Sequence, residues 1–396
     1  MSGEPVPVPM SSPDITDLER EAVAEVLRTS VLSIGPQVEA FERAVAETLG
    51  VRHAIAVSSG TAGLHCAVIA SGVDADSLVL TSPFSFVSSS NVALYERAVP
   101  VFVDVDAETG NLRADLACEA MDDLAHGGAR AARWLPPSLK DADAGLLKAV
   151  LPVHAFGQPA DMDDVLTAAS ARGVAVIEDA CEAIGATYKG RQAGTMGLSG
   201  VFAFYPNKQM TSGEGGLLIT NDDRHAALVR SLRNQGRDEM GTWLHHVRLG
   251  YNYRLDEMSS ALARAQFSRL DELLQKRERV AGWYTERLAG VAAVETPRVA
   301  STTTRMSWFV YVIRTRRAQD RDRLVDELRA QGIPSRPYFS PIHLQPFYRD
   351  RFGYEAGMYP TTEDWGARAL ALPFSGVMTS EQVDVVCRAV TRALGA

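Results

Sequence analysis

Short apolar runs separated by helical patterns fill the first two-thirds of the chain. The runs 53–59 (HAIAVSS), 77–82 (SLVLTS), 99–106 (VPVFVDVD), 149–156 (AVLPVHAF) and 174–180 (VAVIEDA) are apolar throughout rather than alternating. Such runs fit strands covered on both faces. Between them, TAGLHCAVIASG (61–72), SFVSSSNVALYERA (85–98) and DMDDVLTAASARG (161–173) carry helical spacing. Strands alternating with helices predict an α/β fold on a mainly parallel sheet.

Near residue 257 the pattern changes. Residues 257–290 read as one long helix with a charged middle. An apolar run at 307–315, a helix at 320–332 and a last helix at 379–395, opened by a Ser/Thr cap followed by Glu, complete the chain. This predicts a large α/β domain over 1–256, then a linking helix and a smaller α+β domain over 257–396. Residues 122–149 mix Gly, Pro and charge and read as an irregular surface excursion. There is no internal repeat.

Composition is that of a globular protein: 46% hydrophobic and 22% charged over 396 residues. No apolar run approaches the roughly 18–20 residues that span a membrane, and the N-terminus lacks a basic region followed by an apolar core. A cytoplasmic protein is expected. A net charge of −9 argues against nucleic acid or an anionic membrane as bulk partner. The four cysteines are widely spaced without a CxxC, so neither a disulfide framework nor a zinc site is indicated.

Three stretches carry candidate chemistry. In SSGTAGLH (58–65) a strand ends on small residues and a helix begins at Thr61 or Ala62. Free N–H groups there suit a phosphate, although an ordinary capped helix reads equally well. VAVIEDA ends a buried strand on Glu178 and Asp179, and ligands of open α/β sheets sit at that edge. Asp179 is open to three roles: a base, a partner for a cationic ring nitrogen, or the cap of a following helix. A metal is discounted because no second acidic cluster follows. In FAFYPNKQMTSGEGG (202–216) Lys208 stands on a turn after a strand, before a run of small residues and glycines. There it could hold a phosphate, pair with a buried carboxylate or act as an amine nucleophile; GxxxxGK[ST] is absent. An anion cradle, a strand-end acid and a turn lysine together are what pyridoxal phosphate requires.

The motifs FYPNKQMTSGEGG, VIEDACEAIGATYKG, VSSGTAGLHCAV, LPVHAFGQPADM and GYNYRLDEMSSALA, in that family's order from about residue 12 onward, resemble the DegT/DnrJ/EryC1/StrS group of sugar aminotransferases. The resemblance implies a PLP-dependent aminotransferase of fold type I, with a large mixed-sheet domain and a smaller C-terminal one. It implies that Lys208 condenses with the cofactor aldehyde and then serves as general acid/base. Asp179 would face the pyridine nitrogen. Glu182, where the family usually has Gln, would contact the ring or its hydroxyl, or else lie on a helix surface. Phe86 would stack on the ring, or be a core aromatic beside Phe84. Gly60, Thr61 and Ala62 would hold the phosphate, with Ala203 standing where relatives often have a Ser donor.

Asn252 is implied to reach the phosphate of a neighbouring subunit in a homodimer with shared sites. Arg254 would approach the substrate, or form a structural ion pair. His154 would line the site, or be a hydrogen-bonded structural residue. The implied reaction moves an amino group from L-glutamate to a nucleotide-linked keto-sugar in deoxyaminosugar, antibiotic or polysaccharide biosynthesis. A carbocyclic ketone is the alternative acceptor. A PLP-dependent sugar dehydratase is disfavoured by Lys208, where those relatives have His. A non-catalytic regulatory homologue is disfavoured by the presence of both Lys208 and Asp179.

Overall fold

The computed structural model describes residues 6–140, 145–237 and 245–395. Its strands are β1 (His53–Val57), β2 (Leu78–Thr81), β3 (Val99–Phe102), β4 (Leu147–Val150), β5 (Ala175–Asp179), β6 (Thr187–Tyr188), β7 (Arg191–Gln192), β8 (Ser199–Ala203) and β9 (Gly216–Thr220). Four more follow: β10 (Val294–Glu295), β11 (Thr303–Arg305), β12 (Tyr311–Thr315) and β13 (Ala369–Leu372).

Seven strands form the main sheet in the order β1-β9-β8-β5-β4-β2-β3. Only β9 runs against the rest, pairing antiparallel with both β1 and β8. The continuous apolar runs have the expected cause. On β1, Ala54 and Ala56 face a core with Phe41, Val45 and Phe267, whereas Ile55 faces another with Leu64, Val68 and Val92. Side chains alternate across a strand, so a sheet sandwiched by helices needs apolar residues at every position.

Because β5, β8, β1 and β2 point the same way, their carboxyl ends share one edge. The turns that leave that edge carry Asp179, Lys208, the start of helix Gly60–Ala70, and Phe86. The C-terminal part brings a second sheet, β10-β12-β13, whose Tyr311, Ile313, Leu370 and Leu372 pack with Leu324, Val383 and Val386 from helices Ala318–Ala330 and Ser380–Leu394. A small third sheet, β11-β6-β7, ties residues 303–305 to the loop after β5.

Two expectations need correction. The pattern over 257–290 is two helices, Glu257–Ser268 and Leu270–Leu288, broken at Arg269 (φ −109°). The guanidinium of Arg269 pairs there with Glu19 at 2.8 Å and Asp14 at 3.1 Å. Residues 122–149 are not an irregular excursion as far as they are described. Helix Ala114–His126 runs into them, a short helix Gly128–Ala132 and a 3-10 turn follow, and β4 begins at Leu147. Buried Asp123 pins this stretch by accepting from Arg130 Nε (2.7 Å) and Trp134 Nε1 (2.9 Å); residues 141–144 lie outside the described residues. The last helix has the expected cap, Thr379, with Glu381 in its first turn, and the Gln382 side chain returns to the Thr379 N–H. Among the described residues no helix is long and apolar enough to cross a membrane.

Candidate active site

A cavity of about 990 Å³ opens at the carboxyl edge of the main sheet. Ser59, Gly60 and Thr61 line it from the end of β1, Phe86 from beyond β2, Asp179 and Glu182 from beyond β5, and Lys208 from beyond β8. Phe309, Tyr338 and Phe347 close it from the C-terminal part. Residues far apart in sequence meet there because successive parallel strands deliver their loops to one edge.

Lys208 sits on a turn closed by its own N–H to the Tyr205 carbonyl, 2.9 Å. Its Nζ lies 3.6 Å from Glu182 Oε1 and 3.8 Å from the centroid of Phe309. Asp179 is buried, and its carboxylate is oriented by two donors, Ser89 Oγ at 2.6 Å and the Cys181 N–H at 3.1 Å. No helix follows β5; residues 181–186 are turns, which removes the helix-cap reading of Asp179 and the helix-surface reading of Glu182. Glu182 is buried and accepts the Phe156 N–H at 2.8 Å. Burial pushes its carboxyl up, partly offset by Lys208, and pushes the Cys181 thiol up further.

Helix Gly60–Ala70 begins one residue earlier than expected, with Ser59 as its cap. Ser59 Oγ accepts the Ala62 N–H at 3.1 Å, so that donor is already engaged. Among the described residues no protein atom accepts from the Gly60 or Thr61 N–H. The start of this helix is packed tightly: a Cβ on Gly60 would sit 2.7 Å from Ala203 Cβ and from Cys181 Sγ. Phe86 is 63% exposed within this chain while Phe84 is fully buried, which rules out the core-aromatic reading of Phe86.

His154 does not line the cavity. It is buried, its Nδ1 accepts the Ala160 N–H at 3.0 Å, and its Nε2 therefore donates to Glu178 Oε2 at 2.9 Å. Glu178 also points away from the cavity, accepting the N–H groups of Gly194, Met196 and Gly197. The pair organises the loop between β7 and β8.

Asn252 and Arg254 are likewise absent from the cavity wall of their own chain. Asn252 is exposed. Arg254 has no carboxylate partner among the described residues; Nη1 donates to Asn234 Oδ1 at 2.9 Å and Nε is buried without a partner. Burial, with Arg237 and Arg233 nearby, lowers its pKa. This removes the own-subunit lining reading, and among the described residues Arg254 forms no ion pair; Asp238 and Glu239 lie outside them.

Two residues at the site carried no signal in the sequence pattern. Ser89, which orients Asp179, was one of three consecutive serines with nothing to distinguish it. Arg277 looked like part of a charged helix surface, yet it is buried. It donates to the carbonyls of Asn207 (3.1 Å), Lys208, Trp308 (3.2 Å) and Phe309 (3.1 Å), tying the lysine turn to the segment that leads into β12.

The DegT/DnrJ/EryC1/StrS aminotransferase family model matches residues 13–391. The chain is 36% identical over 391 residues to GDP-perosamine synthase of Caulobacter vibrioides, covering 98% of both. It is 33% identical over 396 residues to the spore coat polysaccharide biosynthesis protein SpsC of Bacillus subtilis, covering 97% of this chain and 96% of that one. Among solved structures, a DegT/DnrJ/EryC1/StrS aminotransferase from Brucella abortus superposes with a TM-score of 0.85 at 29% identity, covering 96% of each chain.

Proposed function

The chain belongs to the DegT/DnrJ/EryC1/StrS aminotransferase family, whose members depend on pyridoxal phosphate, and from that premise we propose that it transfers an amino group from L-glutamate to a nucleotide-linked keto-sugar. The observation that carries this reading is the convergence of Lys208, Asp179 and the open N–H groups of Gly60 and Thr61 on one cavity. These residues fit the cofactor: an amine for its aldehyde, an oriented carboxylate for its ring nitrogen, and a helix start for its phosphate. Ala203 adds no hydroxyl, but Ser59 and Thr61 stand beside the same helix start.

Bound there, the cofactor supplies an electron sink for the charge left when the donor loses its Cα proton. The chain supplies the rest. Lys208 would hold the cofactor and would carry the proton taken from the donor. Asp179, fixed by Ser89 and Cys181, would keep the ring nitrogen charged. Phe86 would cover one ring face. Phe309 and Tyr338 would shield the other side of the cavity from water.

Among the described residues the cavity is lined by three carboxylates, Asp179, Glu182 and Glu214, against one cation, Lys208. A dicarboxylic donor and a phosphate need more positive charge than that. We assign it to a homodimer in which Asn252 and Arg254 of the partner subunit complete the site. Residues 1–256 would form the cofactor-holding domain and 257–396 the smaller domain that covers it. Support for the sugar comes from the relatives named for perosamine and spore coat polysaccharide synthesis. The test is mass spectrometry of products from a panel of nucleotide-linked keto-sugars and carbocyclic ketones with glutamate. Amination of the carbocyclic ketones alone, or no oxoglutarate formed with any acceptor, would overturn it.

A further inference from the structure

The amine of Lys208 rests between a carboxyl and a ring face, and one residue sets both. Phe156, in the left-handed region at φ 59°, donates its N–H to Glu182 Oε2 (2.8 Å) and accepts the Phe309 N–H on its carbonyl (3.1 Å). Oε1 of Glu182 is left facing Lys208 Nζ at 3.6 Å, and it accepts no other hydrogen bond among the described residues.

A lysine can take a Cα proton or condense with an aldehyde only as the neutral amine. An ordinary lysine is neutral at pH 7 in roughly one molecule in 10³. Inside a cavity walled by aromatic side chains, its proton needs a nearby acceptor. The charged and titratable groups that face the pair are few. Asp179 and Cys181 share the turn of Glu182, Glu214 and Tyr205 line the same wall, Tyr338 lies across the cavity, and Arg277 stands behind the Lys208 carbonyl. Asp179 is already engaged by Ser89 and Cys181.

Given the reading of Lys208 as the reacting amine, we propose that Glu182 is its proton acceptor. The Nζ–H bond breaks as an Oε1–H bond forms, leaving a neutral amine and a neutral carboxylic acid; the proton returns by the same path when the amine is next charged. No co-reactant is needed. The environment favours the transfer, because burial pushes the carboxyl up toward its neutral form. Phe309 contributes in the other direction, since its ring face attracts the ammonium and not the neutral amine.

The test follows capture of pyridoxal phosphate by the full-length protein freed of cofactor, read as the growth of visible absorbance between about pH 6 and pH 8.5. Proton transfer inside the pair conserves the proton count, so the wild-type rate constant should vary by less than about threefold across that range. Glu182→Gln keeps the volume and the acceptor for Phe156 but cannot take the proton. Its rate constant should fall about tenfold for each unit that the pH drops. An equally flat profile for Glu182→Gln overturns the proposal. An infrared difference spectrum of wild type on capture reads the same event without a substitution; a protonated carboxyl band should appear, and its absence overturns the proposal even where the Gln variant does not fold. Lys208→Ala separates the two readings. Unchanged absorbance there would overturn the role of Lys208 and this proposal with it, whereas lost absorbance beside a flat Gln profile would overturn this proposal alone.

Discussion

Replacing Arg277 with Met would remove a cation that is buried without a carboxylate partner among the described residues, and the structure allows the cost to be worked out. The guanidinium donates to four backbone carbonyls, those of Asn207, Lys208, Trp308 and Phe309. Hydrogen bonds from a charged donor contribute about 1.5–3 kcal/mol each, and the low end suits one guanidinium nitrogen shared between two acceptors. Four such bonds come to about 6 kcal/mol. Burial works against them, lowering the pKa from 12.5 to about 10. At about 1.4 kcal/mol per pKa unit that desolvation costs about 3 kcal/mol. Arg277→Met should therefore destabilise the cofactor-free protein by about 3 kcal/mol, measured by urea unfolding followed by circular dichroism. Arg277→Lys, whose ammonium cannot fork across two carbonyl pairs, should lose about half as much. Because one of the four carbonyls is that of Lys208 itself, turnover should fall by at least about tenfold under conditions where the variant is fully folded. A Met variant within about 0.5 kcal/mol of wild type and with full turnover would refute the reasoning.

Three further outcomes are expected. Lys208→Ala and Asn252→Asp should each be inactive, and a mixture that exchanges subunits should recover activity, since one pocket of the heterodimer then carries no lesion; exchange confirmed by mass without recovered activity would exclude the shared site. Asp179→Asn should still take up pyridoxal phosphate but transaminate about 10²-fold or more slowly, because an amide offers no charge to the ring nitrogen; equal rates would leave Asp179 without that role. Glu19 is pushed up by burial but held down more strongly by hydrogen bonds from Thr16 and Arg269, to about 2 from 4.5. A depressed carboxyl stabilises the fold above its unfolded pKa and loses that contribution as pH falls toward 2. Glu19→Gln should therefore flatten acid unfolding between about pH 4.5 and pH 2, by at most about 3 kcal/mol, and an unchanged slope would contradict the pairing.

The main sheet was legible because its strands are largely apolar at consecutive positions, and Asp179 and Lys208 were legible because Asp179 ends such a run and Lys208 stands on the turn that follows one. Other parts were hidden for a physical reason that a few residues make plain. The expected helix after β5 is a turn, so the pattern gave no warning that Glu182 would be buried beside Lys208. His154 sits in a motif next to the cavity, yet its partners are Glu178 and the Ala160 N–H, which only the folded chain brings to it. The break at Arg269 depends on Asp14 and Glu19 at the far end of the chain.

What unites the hidden residues is how their charges are satisfied. Glu178 accepts three backbone N–H groups, Glu182 accepts one, and Arg277 donates to four backbone carbonyls. Opposite charges at helical spacing can be read from a sequence, but backbone groups are the same at every position and leave no mark in it. A site held by its backbone also places its side chains more firmly than one held by mobile ion pairs. The carboxyl of Glu182 is fixed by Phe156, the carbonyl of Lys208 by Arg277, and the carboxylate of Asp179 by Cys181 and Ser89. Lys208 Nζ, at the end of a flexible stem, is then the mobile element among fixed ones, which is the arrangement a group that moves a proton between two positions requires.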